Sequence, residues 1–158
     1  MAKAPFGGEH TGPNPTDRGK LGTKRSIIVD QAGIPLSLVL DGANRHDVSL
    51  FEQTINAYVL DVELNGNHFC GDKGYDSEDV RKYLRGLGLR PHIKNRGQEI
   101  EEKKKGKSAK RWAVERTMSW INQYRRLKTR WEKKSKNYEA LCHFAFAIMA
   151  FKEAGVLG

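Results

Sequence analysis

Apolar positions along the chain change period several times, and each change marks an element. Residues 1–25 show no periodic apolar pattern and are rich in Gly and Pro, so they read as a loop. Two short β-like runs follow, Ser26 to Val29 and Leu36 to Leu40, separated by the turn signal Asp30-Gln31-Ala32-Gly33. They read as a hairpin. Val48, Leu50, Phe51, Ile55, Val59 and Leu60 then recur at helical spacing behind Asp47, a candidate N-cap. His68 to Gly71 reads as a short buried strand ending at Asp72. Asp76-Ser77 caps a predicted helix over 78–87 that Gly88 ends, and Arg90 to Lys94 reads as a further short strand. After the charged stretch 95–110, a long helix is predicted over 111–130 and another over 138–152. The order β-β-α-β-α-β-loop-α-α argues an α/β fold with an antiparallel hairpin on one side. One domain is expected over 26–158, preceded by the loop and ending in basic helices over 108–153.

Composition narrows the class. The chain has 158 residues, 38% hydrophobic, which leaves enough apolar side chains for one core. No apolar run reaches the roughly 20 residues that span a bilayer, and the N-terminus lacks the order of a signal peptide. Two cysteines, Cys70 and Cys142, give neither a disulfide framework nor a zinc spacing. The expectation is a reduced, cytoplasmic protein with no membrane partner. Charge is unevenly placed. Residues 1–100 carry 13 basic and 13 acidic side chains, while 101–158 carry 15 and 6, so the net +9 sits wholly in the last part. Such one-sided basicity points to a polyanion, most often nucleic acid.

Three constellations could carry chemistry. Asp72, in Cys70-Gly71-Asp72-Lys73-Gly74, ends a strand where α/β sheets place ligand-binding groups, and a hard cation such as Mg²⁺ suits its carboxylate. Turn aspartates are commoner than ligands, so that role stays open. On a helix, Arg111 lies about 40° from Glu115, and Ser108 and Asn122 each lie about 20° from it, so the four share one stripe. A plain Arg–Glu surface pair is the alternative. The flank Val114, Thr117, Met118, Ile121, Tyr124 and Leu127 faces the core. Third, Arg116, Arg125, Arg126, Lys128, Arg130, Lys133, Lys134 and Lys136 interleave with Trp120, Tyr124 and Trp131. Such a run binds phosphates or forms a solvated face, and its aromatics stack on bases or fill the core.

Together, the segments Gly7 to Lys24, Val29 to Leu36, Gly42 to Asp47, Gly71 to Asp76, Arg111 to Thr117 and Tyr124 to Lys133 resemble the DDE-superfamily transposases of bacterial insertion sequences. The insertion sequence five group is the nearest match in motif. The resemblance implies a ribonuclease H-like mixed sheet flanked by helices. It implies cleavage of DNA strands at element ends and their transfer to target DNA, with Mg²⁺ (Mn²⁺ as an alternative) held by three carboxylates. Asp72 matches the second carboxylate and Glu115 the third. Arg111, Arg116, Asn122, Arg125, Arg126, Lys128, Arg130, Lys133 and Lys134 become candidate DNA contacts. The family pattern Tyr-x₂-Arg-x₃-Glu-x₆-Lys is half kept, with Ser108 at the Tyr position and Asn122 at the Lys position. No aspartate occupies the first catalytic position. The first strand and its Asp are therefore expected upstream, in a partner segment or reading frame, and the chain alone is expected to be inactive. The competing expectation is a non-catalytic DNA-binding remnant that competes with intact transposase. Double-stranded DNA, an upstream transposase segment and a second copy in a DNA complex are the expected partners, in a bacterial, nucleoid-associated setting.

Overall fold

The computed structural model describes residues 1–58, 64–93 and 112–156. In chain order the elements are β1 (Ala2–Lys3), β2 (Gly12–Pro13), β3 (Leu21–Val29), β4 (Pro35–Gly42), α1 (Asp47–Asn56), β5 (His68–Gly71), α2 (Glu78–Gly86), β6 (Arg90–Ile93), α3 (Trp112–Gln123), α4 (Arg125–Lys128) and α5 (Ser135–Glu153). The charged stretch 95–110, with Ser108, and the positions of Arg111, Val59 and Leu60 lie outside the described residues. Helices and sheets are mixed, as the alternation of periods implies. The chain divides into two compact units, residues 1–59 with 113–158, and residues 60–112.

In the first unit β3 is the central strand. It pairs antiparallel with β4 from Thr23↔Gly42 to Val29↔Pro35, and its first residues also pair with β1 and β2. The hairpin is longer than the apolar pattern implied. Thr23, Lys24, Arg25 and Ser26 are polar yet buried, and an apolar count misses a strand whose buried side chains are satisfied individually. Lys24 Nζ reaches Asp47 Oδ1 at 3.0 Å, and Thr54 Oγ1 meets Ser26 Oγ at 2.7 Å, so α1 is fastened to β3 through polar groups. His46, not Asp47, is the N-cap of α1, since the Asp47 carboxylate is turned to Lys24. Val48, expected on the apolar face, is exposed.

The segment before β3 departs from a free loop. Ala2 and Ala4 are fully buried, the Arg130 N–H donates to Lys3 O at 2.7 Å, and the Glu9 N–H donates to Lys133 O at 2.9 Å. Gly8, at φ +121°, passes so close to Lys133 that a Cβ would meet its backbone carbonyl. The Glu9 carboxylate accepts from the backbone N–H of Ser135 (2.9 Å) and its hydroxyl (3.0 Å). It thereby caps α5, whose own N-cap, Lys134, offers no side-chain acceptor. Those hydrogen bonds hold the Glu9 carboxyl below its ordinary pKa.

The core of this unit gathers Ala2, Leu38, Leu40, Ile121 and Leu127 against Tyr138, Cys142, Ala145, Phe146 and Met149 of α5. Each large side chain buried there contributes about 1.5–3 kcal/mol. The helix expected over 111–130 is broken: Tyr124 is extended (φ −77°, ψ 111°) between α3 and α4. Past the break, Leu127 and Arg130 are both buried.

In the second unit β5 and β6 run parallel, His68↔Arg90 to Gly71↔Ile93, joined through α2 as parallel strands require. Val80, Leu84, Leu89 and Ile93 are buried. The Arg81 guanidinium ties α2 to Asp76 (2.6 Å) and to Ile93 O (2.8 Å). The strand β5 is not the buried strand its composition suggested, because His68 and Cys70 are exposed and Phe69 and Gly71 only half-buried.

Candidate active site and basic face

Asp72 sits one residue past the C-terminal end of β5, where the parallel pair β5–β6 terminates. Its side chain is exposed and its Oδ1 accepts from the Lys73 N–H at 2.5 Å, starting a single 3₁₀ turn over Lys73–Tyr75. Gly71 is packed tightly before it, since a Cβ there would lie 3.1 Å from both Ile93 and Phe69. Asp72 therefore does cap a turn, and it also presents a carboxylate at a parallel-strand end.

Glu115 lies in the first turn of α3, exposed, two residues from the buried Ala113 and Thr117. The β3–β4 turn sets that helix in place. The Asp30 carboxylate accepts from the Ile34 N–H at 2.7 Å, and Gly33 takes φ +82°, which favours glycine. The turn's carbonyls then meet α3: Gly33 O lies against the Thr117 hydroxyl, and Ala32 O accepts from the Arg116 guanidinium. The same guanidinium lies 4.6 Å above the Trp120 ring. Arg116 thus pins the helix bearing Glu115.

The two carboxylates belong to different units, Asp72 to residues 60–112 and Glu115 to the unit with 113–158. Exposed carboxylate oxygens are the donor type that hard divalent ions take. Among the described residues no three His, Cys, Asp or Glu side chains gather as a metal site would need. The donor chemistry fits a divalent ion, while the third donor is not supplied by the described residues. The other N-terminal aspartates have structural partners. Asp17 lies 3.7 Å from Lys3 Nζ, Asp41 pairs with Arg45 at 3.2 Å, Asp47 pairs with Lys24, and Asp30 holds its turn.

The basic candidates separate into two groups. Arg125, Lys128, Lys133 and Lys134 are exposed along the stretch from α4 to the start of α5. Arg126 is exposed but paired with Glu132. Burial pushes the Glu132 carboxyl up; the Arg126 hydrogen bond and two backbone contacts outweigh it, so the net shift is downward. Asn122 is exposed, and its Oδ1 accepts from Arg25 at 2.8 Å. Arg130 does not belong with the DNA contacts. It is 1% exposed and donates to Thr23 Oγ1 (2.8 Å), Glu132 O (2.7 Å) and Lys133 O (3.1 Å), with its guanidinium 5.5 Å from the Tyr138 ring. A run of charges in sequence does not reveal which member turns inward. Of the aromatics, Trp120 and Tyr124 pack against the core, whereas Trp131 is half exposed and meets the exposed Phe6 ring at 5.3 Å. Two residues escaped the sequence reading. Phe6 and Arg25 both sat in the segment 1–25 read as loop, and Arg25, which holds both Asn122 and Leu127 O, directly precedes the β-like run.

A strand-end carboxylate, a helix carboxylate and a basic stretch stand on a mixed α/β scaffold, and sequence comparison gives the family. Residues 3–150 match the family described as the Transposase DDE domain, and the chain belongs to that family. A protein described as a transposase for insertion sequence element IS402, from Burkholderia cepacia, is 39% identical over 152 residues, covering 92% of this chain and 71% of the relative. No solved structure matches the chain. The family places the chain in DNA transposition, with DNA as partner and divalent metal ions as the family's cofactors. No described helix is long and apolar enough to cross a membrane.

Proposed function

We propose that this chain carries the second and third carboxylates of a DDE transposase, Asp72 and Glu115, on a ribonuclease H-like fold. The observation that carries the reading is their placement: both are exposed at the ends of ordered elements, a parallel-strand end and a helix's first turn, within the region that matches the family. Asp72 and Glu115 would hold Mg²⁺, with Mn²⁺ as a substitute. Two such ions, when bound, polarise the scissile phosphate and stabilise the attacking and leaving oxygens of an in-line displacement. The chain's own residues supply the rest. Arg125, Lys128, Lys133 and Lys134 receive the phosphate backbone, Arg116 and Thr117 fix the helix that carries Glu115, and Asn122 lies two turns further along the same helix. The attacking group is water for strand cleavage and a DNA 3′-hydroxyl for strand transfer.

The first carboxylate comes, in this reading, from a segment outside residues 1–158, because Asp17, Asp30, Asp41 and Asp47 are each committed to a lysine, an arginine or a turn. In this reading the element belongs to the insertion sequence five group and acts in the bacterial cytoplasm at the nucleoid. The test is a strand-cleavage assay on element-end DNA with Mg²⁺, using the chain joined to its upstream segment. Asp72→Asn and Glu115→Gln should each lower cleavage at least a hundredfold while DNA affinity holds. Full activity in either variant overturns the assignment.

A further inference from the structure

The C-terminal helix α5 has two apolar faces, and among the described residues only one is covered. Tyr138, Cys142, Ala145, Phe146 and Met149 face the core. On the opposite side, Ala140, Phe144, Ala147 and Phe151 recur at spacings of four, three and four, the rhythm of a helix-pairing seam. All four are exposed, Phe144 at 69% and Phe151 at 51%. A surface helix ordinarily carries polar residues there, and a helix apolar on all sides is ordinarily covered on all sides.

The alternation of small and large residues selects the occupant. Two copies of α5 related by an antiparallel two-fold axis, passing between residues 145 and 146, set Ala140 opposite Phe151 of the other copy and Phe144 opposite its Ala147. Every layer then joins one Phe to one Ala, the volume complementarity that close packing needs. At either end Glu139 reaches the level of the other copy's Lys152, so the charges there are opposite. A parallel, in-register pairing would set Phe against Phe and Ala against Ala, crowding two layers and leaving voids in the others. The antiparallel arrangement is isologous and closes on itself. We propose that the outer face of α5 is a self-association surface, through which two copies of this chain pair antiparallel by the Ala140–Phe144–Ala147–Phe151 stripe.

The stripe spans about 16 Å of helix, from the ~1.5 Å rise per residue. A contact of that length falls below the ~1,200 Å² of an ordinary stable interface, so the dimer should be weak and concentration-dependent. Sedimentation equilibrium of the full chain without nucleic acid, from 1 to 200 µM, is the test. The expected result is a monomer–dimer equilibrium with a midpoint in the micromolar range. Phe144→Ala should weaken it at least tenfold, and so should Ala147→Phe, which sets Phe against Phe. The double variant Phe144→Ala with Ala147→Phe, which exchanges the two members of a layer, should restore it. These positions lie away from the core, so circular dichroism should show unchanged folding. A wild-type chain that stays monomeric to 200 µM, as when another part of the same chain covers the stripe, overturns the proposal. So does a dimer indifferent to Phe144→Ala, or a double variant no better than the single ones. The readout is independent of cleavage, so failure here leaves the carboxylate assignment untouched.

Discussion

Glu115 and Asp72 stand on supports of different strength. The helix bearing Glu115 is anchored by Thr117 and Ile121, both fully buried, and by hydrogen bonds to the β3–β4 turn, in a unit with a continuous core. Asp72 follows a four-residue strand that is exposed at His68 and Cys70, in a unit whose only described sheet has two strands. Two-stranded sheets are marginal without further packing, and here α2 supplies it through Val80 and Leu84. One carboxylate is thus held by deep packing and the other by a thin layer. The difference implies that the unit with Glu115 sets global stability, while the unit with Asp72 opens first.

The two cysteines report on that contrast, and with the largest expected effect. Cys70 is exposed in the thin unit and Cys142 is fully buried in the other. An aromatic disulfide reagent at neutral pH should modify Cys70 at once and Cys142 about five-thousandfold more slowly, because reaching Cys142 needs an opening that costs about 5 kcal/mol. Equal rates would erase the distinction. Next is Arg130→Met. It strips the fully buried Thr23 hydroxyl and the part-buried Glu132 O of a donor, while Lys133 O keeps the Glu9 N–H, and should cost about 2–6 kcal/mol at roughly 1–3 kcal/mol for each group left unsatisfied. Urea unfolding followed at Tyr and Trp should show it; Arg125→Met, an exposed neighbour, should change stability by under about 0.5 kcal/mol.

Alkali should act on the same unit. Burial pushes the Cys142 thiol from 9.0 up to about 11 and raises the Tyr138 hydroxyl as well. The unfolded chain therefore loses the Cys142 proton first, and the stability present below pH 9 is lost as pH rises toward 11. Thermal melts across pH 8–11 should show a falling Tm, with a shallower fall in Cys142→Ala. The smallest effect concerns DNA. Lys133→Ala or Lys134→Ala should weaken duplex binding uniformly across sequences and reduce the salt slope by about 1 each, whereas Lys24→Ala, a mostly buried lysine bonded to Asp47, should leave the slope unchanged.

These contrasts explain what could be read from residue order. The hairpin, α1, α2 and β6 follow from period and turn residues, since their apolar faces pack inward. The first half of β3 does not, because Thr23 to Ser26 are buried through particular partners such as Arg130 and Asp47, far away in sequence or on another element. The break at Tyr124 carries no Gly or Pro; it is imposed by Leu127, whose carbonyl takes bonds from Arg25 and Tyr138. Arg130 looked like its exposed neighbours until burial separated it. Asp72 and Glu115 stood out through motif order, and spacing alone left each with a structural alternative.

The central claim is that these two carboxylates, on unequal supports, hold the same metal site. Fe²⁺ in place of Mg²⁺, with ascorbate and peroxide, cuts a polypeptide beside the bound ion. On the chain joined to its upstream segment and bound to DNA, cuts are predicted near both residue 72 and residue 115, each suppressed by excess Mg²⁺ and by either Asp72→Asn or Glu115→Gln. Cutting at one of these places that persists when the other carboxylate is removed, or cutting at neither, would contradict the account.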